Sequence, residues 1–125
     1  VINRAEFLNA CETIILSTDE ESRGVDFVFP DESEPLQIAL HAKAENMGNA
    51  TCKCDCVSVK SDSKHVVTLD PDFTIDWLKR SSADDVLIQI QDSETAIVMS
   101  ENSHTYRTTR NGSGVYVQMP LSRDR

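Results

Sequence analysis

No apolar run in this chain approaches the ~18 residues of a membrane-spanning helix, and no charged-then-apolar leader precedes Asn3. The chain is therefore expected to be soluble, with no membrane partner. Basic residues are scarce: twelve Lys and Arg stand against twenty-one Asp and Glu, a net charge of −9. That balance excludes a broadly basic nucleic-acid-binding surface but leaves room for a local basic strip on an acidic body. A glycine-rich phosphate loop is missing, since the close glycines, Gly112 and Gly114, sit in a polar hairpin loop. His41, His65 and His104 have no Ser or Cys partner in a motif context, and the carboxylates offer no nameable pair. Neither enzymatic activity nor a cofactor is expected.

The four cysteines are few enough to form two disulfides, but their placement argues against it. Cys11 lies in a helical pattern, while Cys52, Cys54 and Cys56 alternate along a strand. Alternate strand residues point to one side, strung along it rather than facing one another, which does not suit an unstrained disulfide. The thiols are read as free and the compartment as reducing.

At 125 residues the chain makes one domain, long enough to bury roughly two-thirds of its unfolded surface without a metal or disulfide. Its first residue is Val1 rather than methionine, which suggests a fragment of a longer protein. Asn3-Arg4-Ala5-Glu6 reads as a capped helix start. Phe7, Leu8, Cys11, Ile14 and Ile15 then form an apolar stripe at helical spacing, with the helix ending near Ser17-Thr18. Three strands follow. Arg23 to Phe29 turns Val25, Phe27 and Phe29 inward before Pro30, Leu36 to Ala42 aligns Leu36, Ile38 and Leu40, and Thr51 to Val59 is the third.

Polar residues from Lys60 to Lys64 mark the clearest internal boundary. Beyond it, His65 to Leu69 is a strand, and Asp70-Pro71 opens a helix as cap and first residue. Phe73, Ile75, Trp77 and Leu78 supply the buried side of that helix, with Lys79 and Arg80 in its last turn. Three strands follow again: Val86 to Gln91, Thr95 to Ser100 and Val115 to Met119, the last two joined by the long polar loop from Glu101 to Ser113. In the final strand Val115, Val117 and Met119 share one face and Tyr116 and Gln118 the other, and Pro120 stops it. The second half is a β-α-β-β-β unit, and the first lacks only most of its opening strand. The expected fold is α+β: two such repeats, about 1–60 and 61–121, with continuous sheets and both helices packed on one face.

In that order the sequence resembles the C-terminal domain of the bacterial sliding clamp, the beta subunit of DNA polymerase III. Ile14-Ile15-Leu16-Ser17 followed by Arg23-Gly24-Val25 carries the resemblance. So do Phe73 to Leu78, Val86 to Ser93, and the terminal Tyr116-Val117-Gln118-Met119-Pro120-Leu121. The resemblance implies a clamp-fold domain, the third of three in a protomer, two protomers closing head to tail into a ring around duplex DNA. Such clamps hold polymerase on its template and have no catalytic activity, which places the protein in the cytoplasm with the nucleoid.

By position, the resemblance assigns half of a peptide-accepting cleft to Val117, Met119, Pro120 and Leu121, with Glu94 and Ala96 on the adjacent strand and Phe73 nearby. Its partners would be DNA polymerase and clamp-loader subunits, docking through short linear peptides. Glu94 departs from the small apolar residue expected at its position. Without the resemblance, Val117 and Met119 would read as core packing; with it, Val115 alone stays in the core. Ile15 and Leu16 match the ring-closing interface, beside the acidic loop Asp19 to Glu21. Arg4, Lys79 and Arg80 lie on the two helices, where they would face DNA phosphates without reading sequence. The alternative is a metal-binding or redox domain using Cys52, Cys54 and Cys56 with His41 or His65. Strand alternation does not bring those sulfurs together, so no metal site is assigned.

Overall fold

Each helix starts where the sequence places a cap. Asn3, in extended backbone, accepts the Glu6 amide at 2.9 Å through its side chain, meeting one of the donors a helix start leaves open. Helix α1 (Arg4–Ile14) follows and tightens into a 3-10 turn at Ile15–Ser17. Asp70 caps α2 (Pro71–Arg80) in the same way, accepting the Asp72 amide at 2.9 Å, and Pro71 fills the first position, where its missing donor costs nothing.

The computed structural model of the protein describes residues 1–18, 24–33, 36–44, 48–61, 63–92, 96–102 and 115–121. The predicted acidic loop at 19–21, most of the long loop after Glu101, and Glu94 lie outside the described residues. The strands are β1 (Ile2–Asn3), β2 (Val25–Phe29), β3 (Gln37–Ala44), β4 (Gly48–Asp55), β5 (His65–Leu69), β6 (Asp85–Gln89), β7 (Ile97–Asn102) and β8 (Val115–Gln118).

They form two antiparallel sheets of four, in the orders β4-β3-β2-β5 and β1-β6-β7-β8. Each half therefore lends its opening strand to the other half's sheet. The register is set by inward apolar pairs: Phe27 faces Leu40 on one side and Val67 on the other, and Ile2 faces Val86. A one-residue slip would turn each of these outward.

The sheets are not continuous, as the sequence had suggested; they meet at two narrow seams. At one, Ile2 pairs with Cys56 just past β4, and the Val1 carbonyl accepts the Val57 amide at 2.7 Å. At the other, the Leu121 amide, just past β8, donates to the Thr68 carbonyl of β5 at 2.7 Å. The seams are equivalent under the internal repeat, because β1 corresponds to β5 and β4 to β8. Among the described residues no ladder continues across either seam, so β1 and β8 end one sheet and β4 and β5 the other.

Both helices pack against the sheets and against each other. The core is one cluster drawn from every layer: Phe7, Cys11 and Ile14 of α1, Trp77 and Leu78 of α2, and the inward residues of both sheets. Phe27 lies at its centre, edge-on to Phe7 at 6.0 Å and stacked on Phe29 at 6.3 Å between centroids. Two expectations for inward faces change. Phe73 is 59% exposed and Thr74 takes its inward place, because Pro71, Thr74, Trp77 and Leu78 line the face of α2 that meets the sheet. Leu36 falls just outside β3 and is exposed, while Ala42 completes the row with Ile38 and Leu40.

Phe27→Ala should lower the unfolding free energy by about 3–5 kcal/mol, since the aromatic neighbours cannot collapse into the space. Asn3→Ala should lower it by only about 0.5–2 kcal/mol through the lost cap. Urea denaturation followed by tryptophan fluorescence checks both.

Candidate docking surface at the closing strand

Strand β8 inverts the ordinary relation between hydrophobicity and burial. Its inward residues are Tyr116, half-buried and stacked on Trp77 with centroids 5.8 Å apart, and Gln118, which is buried. Val117, between them, is 56% exposed and Met119 is 65% exposed. Burying a side chain of this kind stabilises a fold by roughly 1.5–3 kcal/mol, so this placement forgoes stability that the opposite facing would capture. The inversion holds because both ends of the Gln118 amide are engaged: Thr74 Oγ1 donates to its Oε1 at 2.8 Å, and its Nε2 donates to the Asp70 carbonyl at 3.0 Å.

Leu121 closes the stretch, 39% exposed, its amide held by Thr68 and its side chain beside Gly24. A Cβ on Gly24 would stand 3.1 Å from the Thr68 methyl and 3.4 Å from Leu121, so a side chain there would crowd the seam. Phe73 projects from the first turn of α2 next to Thr74. Pro120 and Ala96 are half-buried. The predicted cleft residues Val117, Met119 and Leu121 thus form an exposed apolar run, with Phe73 on the neighbouring helix and Glu94 outside the described residues.

The buried Gln118 and Thr74 were not singled out from sequence. The signal that could have found them is a glutamine in the middle of an otherwise apolar strand, which needs a partner if it faces inward.

The other predicted residues fall elsewhere. Leu16, in the 3-10 turn, is 73% exposed and Ile15 half-buried, at the end of α1 against β3 and β4. A second apolar group is therefore presented near β4, the counterpart of β8 in the other sheet.

Arg4 has a different occupation from the one expected. Its Nε and Nη1 donate to the carbonyls of Ala83 at 2.6 Å and Leu78 at 3.0 Å. The guanidinium thereby satisfies a carbonyl that the end of α2 leaves unpaired and ties α1 to the turn beyond it. Lys79 reaches Glu12 of α1 at 3.4 Å, and Arg80 pairs with Asp76 at 3.0 Å one turn back. The two helices carry three cations against Glu6, Glu12, Asp72 and Asp76, so their charge is nearly balanced and no basic stripe runs along them.

Two further features lie apart from this surface. A groove of about 540 Å³ opens at the Ile2–Cys56 seam, walled by Phe29, Val59, Ile88 and Ile90; none of the predicted cleft residues that are described lines it. The four cysteines are free thiols. Burial pushes the Cys11 thiol far up, with Cys54 and Glu12 nearby adding to the shift, and pushes Cys54 up to about 11. Burial also raises Cys56. Thiols so held stay protonated near neutral pH and are poor ligands and nucleophiles. Among the described residues, no group of three or more His, Cys, Asp and Glu is arranged to hold a metal, and no helix is long and apolar enough to cross a membrane.

Two helices over two four-stranded antiparallel sheets, built from crossed β-α-β-β-β halves, are the fold of a DNA sliding-clamp domain. Solved structures similar to this chain include bacterial sliding clamps. The DNA polymerase sliding clamp of Pseudomonas aeruginosa matches with a TM-score of 0.79 at 15% identity. The DnaN sliding clamp (DNA polymerase III subunit beta) of Bartonella birtlesii, bound to griselimycin, matches with 0.79 at 16%. Both matches cover 98% of this chain but only 30% of the clamp chain, the share of a single domain. No protein-family model matches the sequence, and no curated protein matches it.

Because folding raises the Cys54 thiol above its ordinary value near 9, the folded state keeps a proton that the unfolded chain releases. That contribution to stability is complete below about pH 9 and is lost as pH rises through about 11. The urea midpoint should fall over this window, and fall less in Cys54→Val. Below it, a thiol reagent at pH 8 should leave Cys11 and Cys54 unmodified until urea is added.

Proposed function

We propose that this chain is the third, C-terminal domain of a DNA polymerase III beta-type sliding clamp, a non-catalytic processivity factor. The observation that carries the reading is the exposed apolar run Val117, Met119 and Leu121, with Phe73, on a domain of clamp fold. A folded domain that holds such side chains outward at a strand ending its sheet has a surface suited to an apolar partner. A short peptide from a polymerase or clamp-loader subunit fits its size, and a flexible methionine suits several partners. The surface would be half of a cleft, completed by the preceding domain of the same protomer.

The equivalence of β4 and β8 supports assembly into a ring. Each ends its sheet with apolar groups at hand, Leu16 and Ile15 near one and Val117 and Met119 near the other. In this reading Ile15 and Leu16 meet the first domain of the second protomer, completing a homodimeric ring. The helices line the hole and pass duplex DNA without gripping it. Lys79 and Arg80 face phosphates from within ion pairs, and Arg4 adds its charge while holding α2. A nearly balanced helical surface suits sliding, because each firm phosphate contact adds affinity that movement must break. The place of action is the cytoplasm, at the nucleoid.

In a full-length ring, Met119→Glu should weaken binding of a fluorescein-labelled clamp-motif peptide by at least roughly tenfold, by fluorescence polarisation, with the melting temperature little changed. The 125-residue chain alone should bind the same peptide weakly or not at all; nanomolar affinity would overturn the half-cleft assignment. It should also show no measurable affinity for linear duplex DNA at physiological salt, because its net charge is −9.

A further inference from the structure

Gln118 and Thr74 are 5% and 0% exposed, and their bonds join strand to helix at two points of one turn. Thr74 grips the amide oxygen, and the Asp70 carbonyl accepts from the amide nitrogen. A carbonyl can only accept, so the nitrogen must face Asp70 and the amide has a single orientation. Along the chain, the cap Asp70 and Thr74 of α2 bracket Phe73. On the chain of β8, Gln118 is flanked by Val117 and Met119. One buried side chain therefore lies between the two elements that present the exposed apolar groups.

The remaining contacts between these elements are less restrictive. Trp77 and Tyr116 stack with their planes 14° apart, an arrangement found over centroid separations of roughly 4.5–7 Å, so it fixes no single offset. Strand β8 has four residues; among the described residues its ladder partner is β7, and past its end the Leu121 amide donates to the Thr68 carbonyl of β5. Directional hydrogen bonds weaken steeply with misalignment, and a buried amide left without partners is costly. These bonds fix the offset that the ring stack leaves open.

We infer that Gln118, held by Thr74 and the Asp70 carbonyl, is a positioning residue: it sets the spacing and rotation of Phe73 against Val117 and Met119, so that a partner's apolar side chains meet a preformed surface. The inference rests on the docking role proposed above, but the geometry it asserts is measurable without any partner.

The test compares Thr74→Val, Gln118→Met, the double variant and the conservative Thr74→Ser. In methyl and side-chain amide NMR spectra, the parent and Thr74→Ser should show slowly exchanging Gln118 amide protons and single sharp Val117 and Met119 methyl signals. The double variant replaces both partners with apolar groups of similar shape and should keep nearly the parent melting temperature. Its Val117 and Met119 methyl signals should nevertheless broaden or split, and the full-length ring carrying it should bind the labelled clamp-motif peptide at least roughly fivefold more weakly. Unchanged methyl signals in the double variant overturn the inference. If the double variant does not fold, Thr74→Val, which keeps the Asp70 bond, decides on the same signals. Parent-like methyl signals in it then count against the inference. Failure of the parent ring to bind peptide would sink the docking role, while the methyl signals still decide whether Gln118 positions the surface.

Discussion

The structure depends on an exchange of strands. Strand β1 belongs to the first half in sequence and pairs with β6 of the second, while β5 opens the second half and pairs with β2 of the first. Neither half can complete its sheet or cover its apolar face alone, so both fold into one core around Phe27. In each sheet the exchanged strand stands at one end, and β8 or β4 at the other. The latter two are the strands beside which apolar side chains stay exposed.

Polar side chains do the joining at places where apolar packing would be expected. Arg4 ties the start of α1 to the end of α2 through two carbonyls, and Gln118 ties β8 to the start of α2 through a hydroxyl and a carbonyl. Both ends of α2 are therefore held by hydrogen bonds from elsewhere in the chain. At the C-terminal end this satisfies the Leu78 carbonyl, which the helix leaves open. It also frees hydrophobic residues, Phe73 and Val117 among them, from packing duty.

Local pattern carried the elements. The caps at Asn3 and Asp70, the inward alternation of Val25, Phe27 and Phe29, and the proline after β8 were all legible, because each depends on neighbours within a few residues. The exposed run at Val117, Met119 and Leu121 was named through family resemblance, since alternation alone reads valine and methionine as core. Phe73 was expected both on the buried side of α2 and near the cleft, and only exposure separates those roles. Arg4 on a helix reads as a solvated cation, and nothing near it in sequence reveals the carbonyls of Leu78 and Ala83, seventy-four and seventy-nine residues away.

The sequence by itself determined which segments are helices and strands, that the halves repeat, and that the thiols along β4 do not converge. These follow from periodicity and from side-chain types within a single element. Only the tertiary structure decided that the halves exchange strands, that the two sheets meet at narrow seams, and that β8 turns its glutamine inward and its valine out. The reason is that a residue's face is chosen by total satisfaction rather than by hydrophobicity. A buried glutamine with two hydrogen-bond partners is tolerable, and those partners, Thr74 and Asp70, lie on another element more than forty residues away.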